Sequence, residues 1–178
     1  YKPSELIILE INENNAHDAA YSVTSQFPDL KVRIVIANIR EKDRLDEVFA
    51  LHRPEIVFHA AAHKHVPIME ENPFEAIKNN VFGTYHVVDT AAKYQVHKLV
   101  LISTDKAVNP TNIMGATKRL AEMTIQAYSR MKGKENQTEF VAVRFGNVLG
   151  SAGSVIPRFR EQIKAGGPVT VTDPNIIR

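Results

Sequence analysis

Short aliphatic and β-branched runs alternate along this chain with longer stretches whose apolar positions recur every three or four residues. Residues 6–9, 32–37, 56–58, 99–102 and 139–145 read as strands, and 169–171 as a final short one. Residues 15–27 read as a helix stopped by Pro28, and 42–51 as a helix with Leu45, Val48 and Phe49 on one face. Pro73 opens a long helix through Lys93, in which Ile77, Val81 and Tyr85 recur every four residues. Residues 113–131 and 156–164 complete the helices. Such alternation predicts an α/β fold of right-handed βαβ units around a doubly wound, mostly parallel sheet.

Neither an internal repeat nor a low-complexity linker interrupts the pattern. The one shift in composition, the Gly/Ser-containing stretch 146–153, reads as a hinge, which divides the chain into a domain over 1–150 and the beginning of a second lobe over 151–178. The first strand ends in Glu10 with no Gly-x-Gly-x-x-Gly before it. In dinucleotide-binding folds an acid at the end of the second strand holds the adenosine ribose, about 20 residues after the glycine fingerprint. Glu10 suits that place. The sequence therefore reads as starting at a second strand, lacking a first strand and glycine loop, and as cut short after Arg178.

Charge and composition narrow the function classes. With 22 Lys+Arg against 20 Asp+Glu the formal net charge is +2, and no block of like charges suggests a nucleic-acid tail or a polybasic membrane patch. The absence of cysteine excludes disulfides and thiolate metal sites in this chain. No apolar run approaches the roughly 18 residues that span a bilayer, so no membrane contact is expected of this segment.

The chemistry concentrates where the strand at 99–102 ends, in Ser103-Thr104-Asp105-Lys106. Ligands of open α/β sheets bind outside the carboxyl ends of the strands. An acid and a base side by side at such an end form a candidate acid/base pair; the plain alternative is a surface ion pair in a loop. Lys118 follows on the next helix, four residues after Met114 and on the same face. His59, His63 and His65 match no trusted zinc spacing, and no metal is expected. Asn80, in mid-helix where asparagine is disfavoured, hints at a polar role near the site.

Several long motifs together resemble one family. They are 58–67 (Phe-His-Ala-Ala-Ala-His-Lys-His-Val-Pro), Asn79-Asn80-Val81-x-Gly83-Thr84, 103–112 with 114–119, and 144–151. In this order they resemble the polysaccharide-biosynthesis nucleotide-sugar 4,6-dehydratases of the extended short-chain dehydrogenase/reductase superfamily, whose fold is Rossmann-like. The resemblance spans essentially the whole chain. It implies a UDP-sugar substrate, most simply UDP-N-acetylglucosamine, with tightly held NAD; an acid at Glu10 disfavours NADP. In the implied reaction C4 is oxidised, water is eliminated across C5–C6, and C6 is reduced. Asp105 would protonate the departing 6-hydroxyl and Lys106 would take the C5 proton.

By the same resemblance Lys118 holds the nicotinamide ribose, while Ser103 or Thr104 orients the sugar hydroxyl. Met114 stands where most short-chain dehydrogenases carry the tyrosine base, and methionine takes no proton. Asn38 and Ile39 correspond to the adenine-contacting pair, and Ala60, Ala61 and Ala62 let the backbone approach the dinucleotide. Lys64 and His65 line the sugar pocket, and Asn80 is counted on the substrate side through a polar role such as bonding to backbone near the active site; Asn147 and Arg158 meet the UDP moiety, with Thr170 and Arg178 on the uridine side. The whole protein is expected to be a cytoplasmic homo-oligomer, with a membrane anchor left open. Two other functions fit less well: a UDP-sugar 4-epimerase, which needs no elimination pair, and a non-catalytic nucleotide-sugar-binding fragment.

Overall fold

The computed structural model of the chain describes residues 2–131, 137–146, 148 and 155–171. β1 (Glu5–Glu10), α1 (Glu13–Gln26), β2 (Lys31–Ile36), α2 (Lys42–His52) and β3 (Ile56–His59) follow in order. Asn12 caps α1, its side chain accepting from the amides of Asn14 and Asn15. A helix absent from the pattern, α3 (Val66–Glu71), comes next; six residues are too few for periodicity to show, and a proline in its first turn is its one signal. Then come α4 (Pro73–Ala76), a π-helical segment (Ile77–Gly83) and α5 (Thr84–Lys93) without interruption. β4 (Lys98–Thr104), a 3-10 turn (Asp105–Ala107), α6 (Ile113–Arg130), β5 (Glu139–Phe145) and α7 (Val155–Lys164) complete the order.

The described strands form two paired groups, β1 with β2 and β3 with β4 and β5. β1 and β2 pair in parallel from Glu5 opposite Lys31 to Glu10 opposite Ile36. β3 and β4 pair in parallel from Ile56 opposite Lys98 to His59 opposite Leu101, and β5 lies beside β4. Among the described residues no strand joins β1 to β3. Helices bridge them instead: Leu45 and Phe49 of α2 pack with Val87, Val88 and Ala91 of α5 and with Leu99 and Leu101 of β4, and Leu9 packs against this cluster. Each fully buried leucine there contributes roughly 1.5–3 kcal/mol of hydrophobic stabilisation. The architecture is α/β, parallel and Rossmann-like.

The π segment changes which face of the long helix is buried. Ile77 and Tyr85, two of the three residues of the apolar series, are exposed, while Asn80, Gly83, Thr84, Val87 and Val88 are buried. A π turn adds a residue per turn and so rotates the stripe relative to a four-residue repeat. Residues 169–171, expected as a strand, are not one; Gln162 Oε1 accepts from the Thr170 amide at 3.1 Å, and Gln162 Nε2 donates to Thr170 Oγ1 at 2.7 Å.

The chain divides into two compact units, Tyr1–Arg144 and Phe145–Arg178. No helix among the described residues is long and apolar enough to cross a membrane.

Candidate active site at the ends of the third and fourth strands

Alternation along β4 sets the site. Leu99, Leu101 and Ser103 are buried, with Val100, Ile102 and Thr104 less so. Ser103 thus shares a face with the leucines that pack against α5 and α6, and Thr104 has the opposite face. After Thr104 the chain turns tightly: the Thr104 hydroxyl accepts from the Lys106 amide at 3.4 Å and donates to Asp105 Oδ1 at 2.9 Å. Lys106 Nζ donates to the same Oδ1 at 3.0 Å. Asp105 is exposed, its side chain retaining 55% of its accessible surface against 30% for Lys106. The Lys106 ammonium, with help from Thr104, holds the Asp105 carboxyl below the ordinary aspartate range. An acid awaiting a leaving group needs the opposite shift, so in this state Asp105 is an ion-paired carboxylate.

The helix behind the turn is fitted to it. Asn112 caps α6 by accepting from the Gly115 amide at 2.8 Å, and Glu70 of α3 accepts from the Ile113 amide at 2.6 Å. A Cβ on Gly115 would stand 2.5 Å from the Lys106 carbonyl oxygen. Only glycine lets the 105–107 turn and α6 approach this closely.

Lys118 is buried, and Nζ donates to the Ile102 carbonyl at 2.7 Å. Burial lowers its pKa to about 8, with the Glu122 charge opposing. His59, at the end of β3, is also buried; desolvation first, and then the Lys118 charge, lower it to about 3, so it is neutral. The Thr84 hydroxyl gives its proton to the Asn80 carbonyl at 2.7 Å, which leaves His59 Nε2 as the donor in its 2.9 Å bond to Thr84.

Asn80 proves to be a clamp. At 1% exposure it meets no solvent; Oδ1 accepts from the His63 amide at 2.8 Å, and Nδ2 donates to the His63 carbonyl and to Thr117 Oγ1, both at 3.0 Å. These bonds commit the side chain to the backbone of the loop after β3, in line with the polar role, bonding to backbone, expected of it; direct contact with a substrate is not its part. The expectation for Ser103 is corrected. Its hydroxyl is buried and donates to Glu122 Oε1 at 2.6 Å, so it is not available to orient a sugar hydroxyl. Met114 is 4% exposed and packs with Met69 and Ala76, a core residue and not a reacting group.

Of the other expected site residues, Ala60, Ala61, Lys64 and His65 are exposed and Ala62 is half-buried in the loop after β3. Glu10 Oε1 accepts from the Ile11 and Asn12 amides, both at 3.0 Å, at the end of β1. Asn38 Oδ1 accepts from the Arg40 amide at 3.0 Å, and the Ile39 side chain is buried over Gly83. Arg158 is exposed on α7 and Thr170 is bonded to Gln162, both in the second unit. Asn147 and Arg178 lie outside the described residues. Among the described residues no cluster of His, Cys, Asp or Glu could hold a metal ion.

One feature was not foreseen. Glu122 is buried, and burial alone would raise its pKa; Arg144, Ser103 and Arg119 outweigh that and hold it at about 2. The signal was present in the sequence, as an acid on the apolar face of α6 that carries Met114, Ala121 and Ile125, one turn beyond Lys118.

The polysaccharide biosynthesis protein family model matches residues 1–178. The chain belongs to that family. Its relatives include the capsular polysaccharide biosynthesis protein CapD of Staphylococcus aureus, 51% identical over all of this chain and 29% of the relative. Two further relatives, almost equal to each other in identity to this chain, differ in their named activity. A Campylobacter jejuni UDP-N-acetylglucosamine 4,6-dehydratase (inverting) is 40% identical over 100% of this chain and 52% of its own length. A Rickettsia canadensis UDP-glucose 4-epimerase is 41% identical over 98% and 49%. Among solved structures, Pen from Bacillus thuringiensis matches with a TM-score of 0.86 at 42% identity, covering 97% of this chain and 51% of that one. The chain thus spans about half, or less, of the length of these relatives.

Proposed function

We propose that the whole protein is a UDP-N-acetylhexosamine 4,6-dehydratase of surface-polysaccharide synthesis, and that this chain carries its elimination pair. The observation that carries the reading is the Asp105–Lys106 pair, 3.0 Å apart on a turn at the carboxyl end of β4. Similarity to the Campylobacter dehydratase over the full chain supports it. In this reading a bound sugar separates the pair. As they part, the Lys106 ammonium leaves its proton on Asp105; the neutral amine then removes the C5 proton made acidic by a ketone at C4, and the Asp105 carboxylic acid delivers its proton to the departing 6-hydroxyl, which leaves as water. Thr104, on the open face of β4, orients the hydroxyl at C4, and Lys64 and His65 border the sugar.

The residues present fit NAD. Lys118 has three N–H donors, and the described structure shows one bond, to Ile102, so two donors suit ribose hydroxyls. The exposed Ala60 and Ala61 leave the backbone open to a dinucleotide, Glu10 carries a carboxylate for the other ribose, and Asn38 and Ile39 would meet the adenine. When bound, NAD supplies acceptance of hydride from C4 and its return at C6; NAD is favoured over NADP because Glu10 would repel a 2′-phosphate.

We read 1–150 as the cofactor domain and 151–178 as the beginning of the substrate lobe, with Arg158 and Thr170 on the UDP side. The division into two compact units supports this. Exposed Phe74, Phe82, Tyr85, Leu120 and Met123 on α4, α5, α6 and the π segment support a homo-oligomer, and a nucleotide-sugar substrate places the enzyme on the cytoplasmic side.

A 4-epimerase is the second reading, favoured by the Rickettsia relative. Incubating the whole protein with UDP-N-acetylglucosamine and weighing the product by mass spectrometry separates the two. The dehydratase gives a sugar lighter by one water. An epimer of unchanged mass would replace this proposal with the second, and unaltered substrate would refute both.

A further inference from the structure

Glu122 joins three elements with one carboxylate. Oε1 accepts from Ser103 Oγ at 2.6 Å and Arg144 Nε at 2.8 Å; Oε2 accepts from an Arg144 terminal nitrogen at 2.7 Å and an Arg119 one at 3.0 Å. Arg144, near the end of β5, thus grips it with both arms of its fork. Ser103 is the β4 residue immediately before the Thr104–Asp105–Lys106 turn. One helical turn earlier on α6, Lys118 bonds the carbonyl of Ile102. A third contact lies higher still, where Gly115 meets the Lys106 carbonyl. Helix positions 122, 118 and 115 therefore meet strand and turn positions 103, 102 and 106, and Glu122 is the one that also ties in β5.

We infer that Glu122 is a positioning residue, which locks the end of β4 to α6 and β5 and so sets where the Thr104–Asp105–Lys106 turn stands relative to the Lys118 ammonium. The inference rests on the dehydratase reading in that this turn is the one assigned to elimination. It has an electrostatic side. The titratable groups facing Lys118 are His59 from β3, which is neutral, and Glu122 from its own helix, whose charge keeps the buried ammonium protonated against desolvation. Arg119 and Arg144 are 37% and 40% exposed, so water can solvate them when the carboxylate is removed, and Glu122→Gln should fold.

The test uses the whole protein with its cofactor. In Glu122→Gln, kcat on UDP-N-acetylglucosamine should fall about tenfold with KM little changed. The alkaline limb of kcat should move down by roughly half to one pH unit, because Lys118 loses its counter-charge. Isotope-labelled lysine NMR, with Lys118→Met to assign the signal, should show the same displacement without turnover or cofactor. Ser103→Ala removes one bond while both arginines still pair with Glu122; kcat should fall several-fold with the limb unmoved. A folded Glu122→Gln with the wild-type limb and lysine titration would overturn the inference. If Glu122→Gln does not fold, Ser103→Ala decides, and an unchanged kcat there overturns it. A wild-type protein that forms no dehydrated sugar would sink the dehydratase reading alone, since the NMR titration still reads the Glu122–Lys118 coupling.

Discussion

Two carboxylates within one helix-and-strand unit are treated in opposite ways. Asp105, at the lip of the site, is exposed and pairs with its neighbour Lys106; Glu122, behind it, is buried and pairs with two arginines and a serine. Water competes for the first pair, so its partnership is worth little and a ligand can rearrange it. In the second, only the arginines reach solvent; the Glu122 carboxylate is buried, and removing its partners would strand a charge in the interior. The exposed pair can therefore rearrange more readily than the buried one. Lys118 and His59 stand between these extremes, buried and short of partners, and their charge states depend on that.

Acid should separate the two regions most widely. His59 has a folded pKa of about 3, below its unfolded value of 6.5, so the unfolded state binds the extra proton first. Stability present above pH 6.5 is lost as pH falls towards 3, about 2 kcal/mol of it by pH 5. Glu122, lowered from 4.5 to about 2, adds a loss of about 3 kcal/mol between those two values. Denaturant melts across pH 3–7 should show His59→Gln flattening the upper part of the slope and Glu122→Gln the lower. Asp105→Asn should leave the curve within about 0.5 kcal/mol. An equal effect from Asp105 would erase the distinction.

Next in size is Gly115→Ala. The added methyl meets backbone, which cannot swing aside, so the turn must shift away from α6. A displacement of this kind costs roughly 10²-fold in activity, and overpacking costs about 1–3 kcal/mol in stability. Wild-type kcat in the variant would show that the close approach is not needed.

Much of this was legible in the sequence, and the exceptions have physical causes. Strands and helices longer than one turn announced themselves by period, and the strand-end position of Asp105 and Lys106 followed from β4. The six residues of α3 fell below what periodicity resolves. The π segment was hidden because Ile77, Val81 and Tyr85 imitate an ordinary stripe, while the residues buried there include Asn80 and Thr84, whose side chains bond to His63 and Thr117 and to His59. Ser103, Glu122 and Arg144 lie about 20 residues apart in sequence, so their union is a tertiary fact. Ser103 was misread for that reason: proximity to a reactive turn in sequence says nothing of which face a strand residue takes until the alternation is anchored.

The smallest expected effect is a gain. Lys118 is held at about 8, below its unfolded value of 10.5, so folding is penalised below pH 8 and the penalty is relieved as pH rises through 8 to 10.5. Lys118→Met removes the buried charge at the expense of one bond to Ile102. At pH 7 it should raise stability by about 1–2 kcal/mol, with the gain vanishing near pH 10, while cofactor affinity falls. A destabilised variant at pH 7 would mean that Lys118 is better solvated than its burial implies.

The central claim is that Lys106 and Asp105 act as base and acid of an elimination. Its most direct test is the exchange of solvent deuterium into C5 of UDP-N-acetylglucosamine by the whole protein, followed by mass spectrometry of the recovered sugar. Wild type should incorporate deuterium, Lys106→Met should abolish incorporation while still forming NADH from C4 oxidation, and Asp105→Asn should exchange yet stall before water leaves. Wild-type exchange by Lys106→Met would contradict the account and send the search for the base to His65.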